Sequence, residues 1–333
     1  MDSLVAEAAK RANRILHQLK IREYLFDTNR LRIDPIKVSG DLGVPVILKE
    51  MEKLLGAYVH TDNKAGILLN YDRPFGLVTM TCAHELGHFA MDHNSNLDID
   101  VEYDSDASIQ ERQADAFAYS LLLPNWLLKR AMEADGIKRE QINVRSVYQL
   151  SLRLGLSYAA TIWLLYRKKI LSKSIAVEWS AVQPKSIKQS IRENLKFSDC
   201  DDISDIWVIS KNYNNYVVEP KLGDTLIVEL ESHPASGMKW LHSDSDLAIR
   251  PILVKPSDNT FSNESEFSGR HMIPHEVKGI DSCNSIEPHT LTLMEKREFC
   301  IEKVTYQEFK LGIETHTLEN GLSKYERRRR LSR

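Results

Sequence analysis

The spacing of apolar residues changes character near residue 175. Before that point they recur three and four apart, as helices require; after it they gather in short strand-like runs broken by Pro, Gly, Asn and Ser. Helices first and strands afterwards point to an α+β chain built in parts rather than one alternating sheet. A length of 333 residues agrees with two domains.

The first half reads as a series of helices with a small sheet. Leu4, Ala8, Ala12, Ile15, Leu16 and Leu19 predict one amphipathic helix over about residues 2–26. Asp34-Pro35 opens a second helix, Gly43 ends it, and Val44 to Leu48 follows as a strand. Ala57-Tyr58-Val59 and Gly66-Ile67-Leu68-Leu69 flank the turn Thr61-Asp62-Asn63-Lys64 and predict antiparallel strands. A long helix runs from Pro74 to about His93, and an Asp-rich loop covers 94–106. Helices from about Ile109 to Leu123 and from Asn125 to about Ala134 meet at Pro124, and two short helices surround Gly155.

In the second half, strand-like runs begin at Ile206, Tyr216, Thr225, Leu247, Leu291 and Glu298, whereas polar residues 256–290 fit no element. Short strands so punctuated suggest a β-sandwich. The expected organisation is an N-terminal helical extension (1–32), a catalytic domain (33–175), a linker (176–204), a β-sandwich (205–310) and a basic tail (311–333).

Bulk properties exclude several classes. Lys+Arg 44 against Asp+Glu 47 gives a net charge of −3, which argues against direct nucleic-acid binding by bulk charge. The run Glu326-Arg327-Arg328-Arg329-Arg330 reads as a solvated end. Cys82, Cys200, Cys283 and Cys300 are widely spaced and form no CxxC pair, so free thiols in a reducing compartment are expected. The N-terminus lacks an apolar leader core and no apolar run approaches a membrane span, so a cytoplasmic protein is expected, with no membrane partner.

The chemistry lies in His84-Glu85-Leu86-Gly87-His88. Residues four apart share a helix face, so His84 and His88 can present both imidazoles to one ion. Apolar Cys82, Ala83, Leu86, Phe89 and Ala90 surround them, and burying two histidines and a glutamate without partners is costly. A zinc ion, one per chain, removes that cost, with Mn2+ as the second candidate. Glu85 is then placed to take a proton from a water that the zinc acidifies.

The third ligand must come from elsewhere. Glu111 lies on the inward face of the next helix, one turn before Ala114. Asp115, four residues on, can hold the outer nitrogen of a liganding histidine. His93, Asp92, Asp98, Asp100, Glu102 and Asp104 are the rivals; His93 stands five residues after His88, off the ligand face, and reads as a helix-end cap. Asn94 stands where an extended three-histidine motif would need His. Tyr119, Tyr148 and Tyr158 are equivalent candidates for the oxyanion donor.

These residues resemble the ImmA/IrrE metallopeptidase family over about residues 33–172. The likeness rests on Ile67 to Asn70, Ala83 to His88, Glu111-Arg112-Gln113-Ala114-Asp115-Ala116-Phe117-Ala118, Leu121 to Pro124, and Leu150 to Ser157. It implies a zincin-like, gluzincin-type fold, zinc held by His84, His88 and Glu111, and Glu85 as the base. It further implies cleavage of a helix-turn-helix repressor of the XRE type in a stress-response, mobile-element or toxin–antitoxin setting. Asp115 stands where the family often has Asn, and residues 75–81 lack its usual Arg-Phe pair. Residues 150–166 look like part of a helix-turn-helix, but hold few spare basic residues and read as a helical subdomain beside the site.

A second resemblance, to chagasin-type protease inhibitors, covers about residues 205–309. It rests on Pro220 to Leu230 and on Pro234-Ala235-Ser236-Gly237-Met238-Lys239-Trp240. It implies an Ig-like sandwich that binds a partner protein or the substrate. The expected function is therefore a zinc endopeptidase. The alternative is a non-catalytic binding or defence component with a structural metal site.

Overall fold

The computed structural model describes residues 3–61, 64–93, 109–195, 204–221, 224–233, 238–242, 249–251, 269–277, 289–297 and 305–314. Outside them lie the Asp-rich loop with Asn94, Asp98, Asp100, Glu102 and Asp104, the turn residues Asp62 and Asn63, and Pro234 to Gly237. The strand-like runs at Leu247-Ala248 and Glu298 to Ile301, Cys200, Cys283 and Cys300, and the arginine run also lie outside. The described residues divide into two compact units, one of 3–131 and 151–176, the other of 132–150 and 177–314. The units interleave along the chain, where the sequence suggested consecutive domains.

The first unit opens with α1 (Ser3–Gln18) and α2 (Ile21–Asp27), not one continuous helix. Lys20 takes a left-handed φ of 51° and breaks the ladder between them. Ala8, Ala12, Ile15 and Leu16 form the buried stripe of α1. In α3 (Pro35–Asp41), the Ile36 amide donates to the Asp34 carboxylate, and Pro35 occupies the first turn. A three-stranded sheet follows, from β1 (Val46–Lys49), β2 (Gly56–Thr61) and β3 (Lys64–Asn70), in the order β1-β3-β2. The β2–β3 pair is antiparallel, as expected of a hairpin. The sheet as a whole is mixed, because β1 joins the far edge of β3 in parallel, Val46 opposite Ile67.

At the centre of this unit lies α4 (Phe75–Ala90), buried from Val78 through His88. A helix covered on all sides has neighbours on all sides. Here α3, β2, β3 and α5 (Ile109–Leu122) pack against it, and α1 packs on α5. Ala114, Phe117, Ala118 and Leu121 are the buried face of α5. Gly87 lets α4 and α5 approach closely: a Cβ there would stand 2.9 Å from both Cα and O of Ala114. In chain order α6 (Asn125–Ala134), α7 (Val144–Leu154), α8 (Tyr158–Arg167), α9 (Lys173–Ser180) and α10 (Pro184–Leu195) follow. Ser157 starts α8 by accepting from the Ala160 amide. The segment read as a linker thus holds the end of α9 and all of α10, which buries Ile187 and Ile191 four residues apart.

The second unit contains two four-stranded sheets. One has the order β4-β6-β9-β8, from β4 (Ile206–Ser210), β6 (Thr225–Ser232), β8 (Ile249–Pro251) and β9 (Gly269–Val277). The other has the order β5-β11-β10-β7, from β5 (Val217–Val218), β7 (Met238–His242), β10 (His289–Arg297) and β11 (Thr305–Ile313). Most pairs are antiparallel, but β4–β6 and β5–β11 run parallel. β9 falls within the polar stretch that fitted no element. Gln149, midway along α7, clips that helix to β4, donating to Ile206 O and accepting from the Val208 amide, each at 2.8 Å. Buried Asp224 accepts from the Asp205 amide, the Lys221 amide and Trp207 Nε1 at 2.9–3.0 Å.

Candidate metal centre

α4 and α5 bring His84, His88 and Glu111 together. Their ligand-type atoms all lie within 4.8 Å of one another. Glu111 Oε2 is 3.0 Å from His84 Nε2, Glu111 Oε1 is 3.3 Å from His88 Nε2, and the two Nε2 atoms are 3.1 Å apart. Both histidines are only 6% exposed. Gly87, between them in sequence, lets α5 come close enough for Glu111 to reach.

The proton positions follow from the partners. His84 Nδ1 lies 3.0 Å from Asp115 Oδ1, and a carboxylate can only accept, so Nδ1 carries hydrogen. In neutral His84, Nε2 then has a lone pair aimed at Glu111, a second acceptor. Acceptors converging in this way are satisfied by a cation. With no metal, that cation is a proton. Burial pushes the His84 pKa down, but the bonds from Asp115 and Glu111 outweigh it and carry it up to about 10. The same two histidines hold Glu111 well below the usual carboxylate range.

The donor set also fits a metal ion. Zinc bonds of about 2.0–2.1 Å in tetrahedral geometry place neighbouring ligand atoms about 3.3 Å apart, close to the separations here. Two imidazoles and a carboxylate are a common zinc set that leaves a fourth position open.

Glu85 stands apart from that triangle. Its Oε2 accepts from the Tyr58 amide on β2 at 2.8 Å. Burial pushes its pKa up, against the opposing pull of His84 and His88. The approach of β2 depends on Gly56, where a Cβ would lie 2.5 Å from Thr81 Cγ2 and 3.3 Å from Glu85 Cγ.

Residues 40–161 match a peptidase-family model described as the IrrE N-terminal-like domain. This stretch resembles an IrrE N-terminal-like domain. It contains α4, α5 and every residue of the cluster, so the IrrE-like family supports a metallopeptidase-type function for it. No curated protein matches the chain. The solved structures that match include a cysteine protease inhibitor, EhICP2, from Entamoeba histolytica, at 13% identity, and amebosin, at 15%. Each match covers 34% of this chain and 98% of the other, with a TM-score of 0.27. At that score neither likeness fixes a role for any part of this chain. Among the described residues no helix is long and apolar enough to cross a membrane.

His93 is absent from the converging triangle but meets His88 from behind, Nδ1 to Nδ1 at 3.0 Å. The Tyr119 hydroxyl points to Asp115 Oδ2 at 3.4 Å, and the Arg167 guanidinium lies 4.2 Å from its ring centre. Tyr148 belongs to the second unit and donates to Asp205. Burial pushes the Tyr158 hydroxyl up to about 12. Sequence reasoning missed the Tyr58 amide, the His88–His93 contact and Gln113. A backbone donor leaves no side-chain signal, and helical spacing alone does not show the left-handed turn at Asp92 that folds His93 back.

Proposed function

We propose that the IrrE-like domain is a zinc-dependent endopeptidase acting on a protein substrate in the cytoplasm. His84, His88 and Glu111 hold the ion, and Asp115 orients His84 through Nδ1. Zinc supplies Lewis acidity, polarising a carbonyl and making a water acidic near neutral pH. Glu85 removes a proton from the attacking water and passes it to the leaving amine. Its raised pKa suits a group that must both take and return a proton, and the Tyr58 amide restricts where its carboxylate can go. What carries the reading is the convergence of three ligand atoms beside a buried carboxylate left outside their triangle.

By resemblance to ImmA/IrrE, the substrate is a helix-turn-helix repressor of the XRE type, in a stress-response, mobile-element or toxin–antitoxin setting. The β-rich part of the chain binds that substrate or a partner protein. The test uses a purified helix-turn-helix repressor of the XRE type, taken from a neighbouring gene where one is encoded, incubated with the zinc-loaded protein. Glu85→Gln should retain zinc and slow cleavage by on the order of 10²–10⁴-fold. Undiminished cleavage by that variant would falsify the assignment of Glu85.

A further inference from the structure

α4 ends in a turn that brings the chain back onto itself. Ala90 is the last helical residue, Met91 caps it, and Asp92 takes a left-handed φ of 55°. The Asp92 amide donates to Phe89 O at 3.1 Å and the His93 amide to His88 O at 3.0 Å. These are the two bonds of a Schellman motif. His93 is thereby tied through its backbone to the residue its ring then meets. The rings of His88 and His93 stand edge to face, with centres 5.1 Å apart and Nδ1 atoms 3.0 Å apart. On its other side, His93 Nε2 lies 3.2 Å from Gln113 Oε1 on α5. His93 and Gln113 are each 8% exposed.

Only one arrangement of protons leaves His88 free to act as a ligand. Its Nε2 must present a lone pair toward Glu111 and His84, so the hydrogen of the neutral ring sits on Nδ1. That N–H donates to His93 Nδ1, which must be bare. The hydrogen of His93 is then on Nε2 and donates to Gln113 Oε1. Each assignment forces the next.

We infer that His93 is the positioning residue for His88, with Gln113 fixing the tautomer that lets it serve; this rests on reading His84, His88 and Glu111 as metal ligands. The two imidazoles are therefore held by unlike partners. A carboxylate, Asp115, holds His84; a neutral ring, itself aligned by a carboxamide, holds His88. Outer partners of this kind raise affinity by fixing ring orientation.

The experiment uses the full chain, freed of metal, with zinc affinity measured by competition against a chromophoric chelator. His93→Leu removes the acceptor and should weaken zinc binding by on the order of 10–100-fold. His93→Gln returns a carbonyl oxygen and should recover most of that loss, and Gln113→Leu should show a smaller loss. Melting of the metal-free variants separates damage to the fold from damage to the site. Long-range hydrogen–nitrogen correlation spectra of the unaltered, zinc-loaded chain should place hydrogen on His88 Nδ1 and on His93 Nε2. Unchanged affinity in His93→Leu, equal weakness in a stably folded His93→Gln, or hydrogen on His93 Nδ1 would each overturn the inference. Failure of the unaltered chain to bind zinc would instead remove the metal reading, and this inference with it.

Discussion

His84 keeps a proton against the pull of burial because two carboxylates face its two nitrogens. Its pKa rises from 6.5 to about 10, so the imidazolium stabilises the metal-free fold fully below pH 6.5. That contribution is lost as pH rises through about 10. A metal ion must displace this proton. Zinc binding at pH 8 should therefore release protons, and apparent affinity should climb with pH toward 10. Titration calorimetry in two buffers of different ionisation heat measures the release; identical heats in both would rule it out. His84, Glu85 and His88 were legible in the sequence because five consecutive helical residues fix their own geometry. Glu111 and Asp115 needed an argument about helix faces. His93 was rightly left out of the ligand set, but its contact with His88 could not be read, because spacing along an ideal helix says nothing once Asp92 leaves that helix.

At the level of elements, the centre depends on how closely α4 and α5 pack. Gly87→Ala would drive a methyl group into the Ala114 backbone, which has no flexible end to move aside. We expect a loss of about 1–3 kcal/mol in urea unfolding, with weaker zinc binding because the two ligand-bearing helices part. Unaltered values for both would show that the helices have slack. In the second unit, Asp224→Ala would leave three donors, the buried Trp207 indole among them, without their acceptor. The expected cost is about 3 kcal/mol, and a change within error of zero would mean that water replaces the carboxylate. α4, apolar over most of its length, and α5, with Ala114, Phe117, Ala118 and Leu121 on one side, could be read directly. The break at Lys20 could not, since Leu19 continues the helical pattern past it. β9 was hidden by Pro274, His271, His275 and Glu276, which carry little strand signal. α10 was hidden because two isoleucines are a faint stripe.

For the molecule as a whole, two units with separate cores should not share one melting transition. Zinc at about a thousand times its Kd stabilises the state that binds it by about 4 kcal/mol. In calorimetry of the full chain, one of two transitions should move upward on adding zinc and the other should stay. Equal movement of both would show that the chain unfolds as one body. A last consequence concerns the outer edge of the small sheet. β2 is an outer strand, and such strands invite stray chains to pair with them. At Tyr58 the amide that a newcomer would seize is already engaged by Glu85. The carboxylate thus guards its own border: an extended polypeptide that docks there must first compete with it.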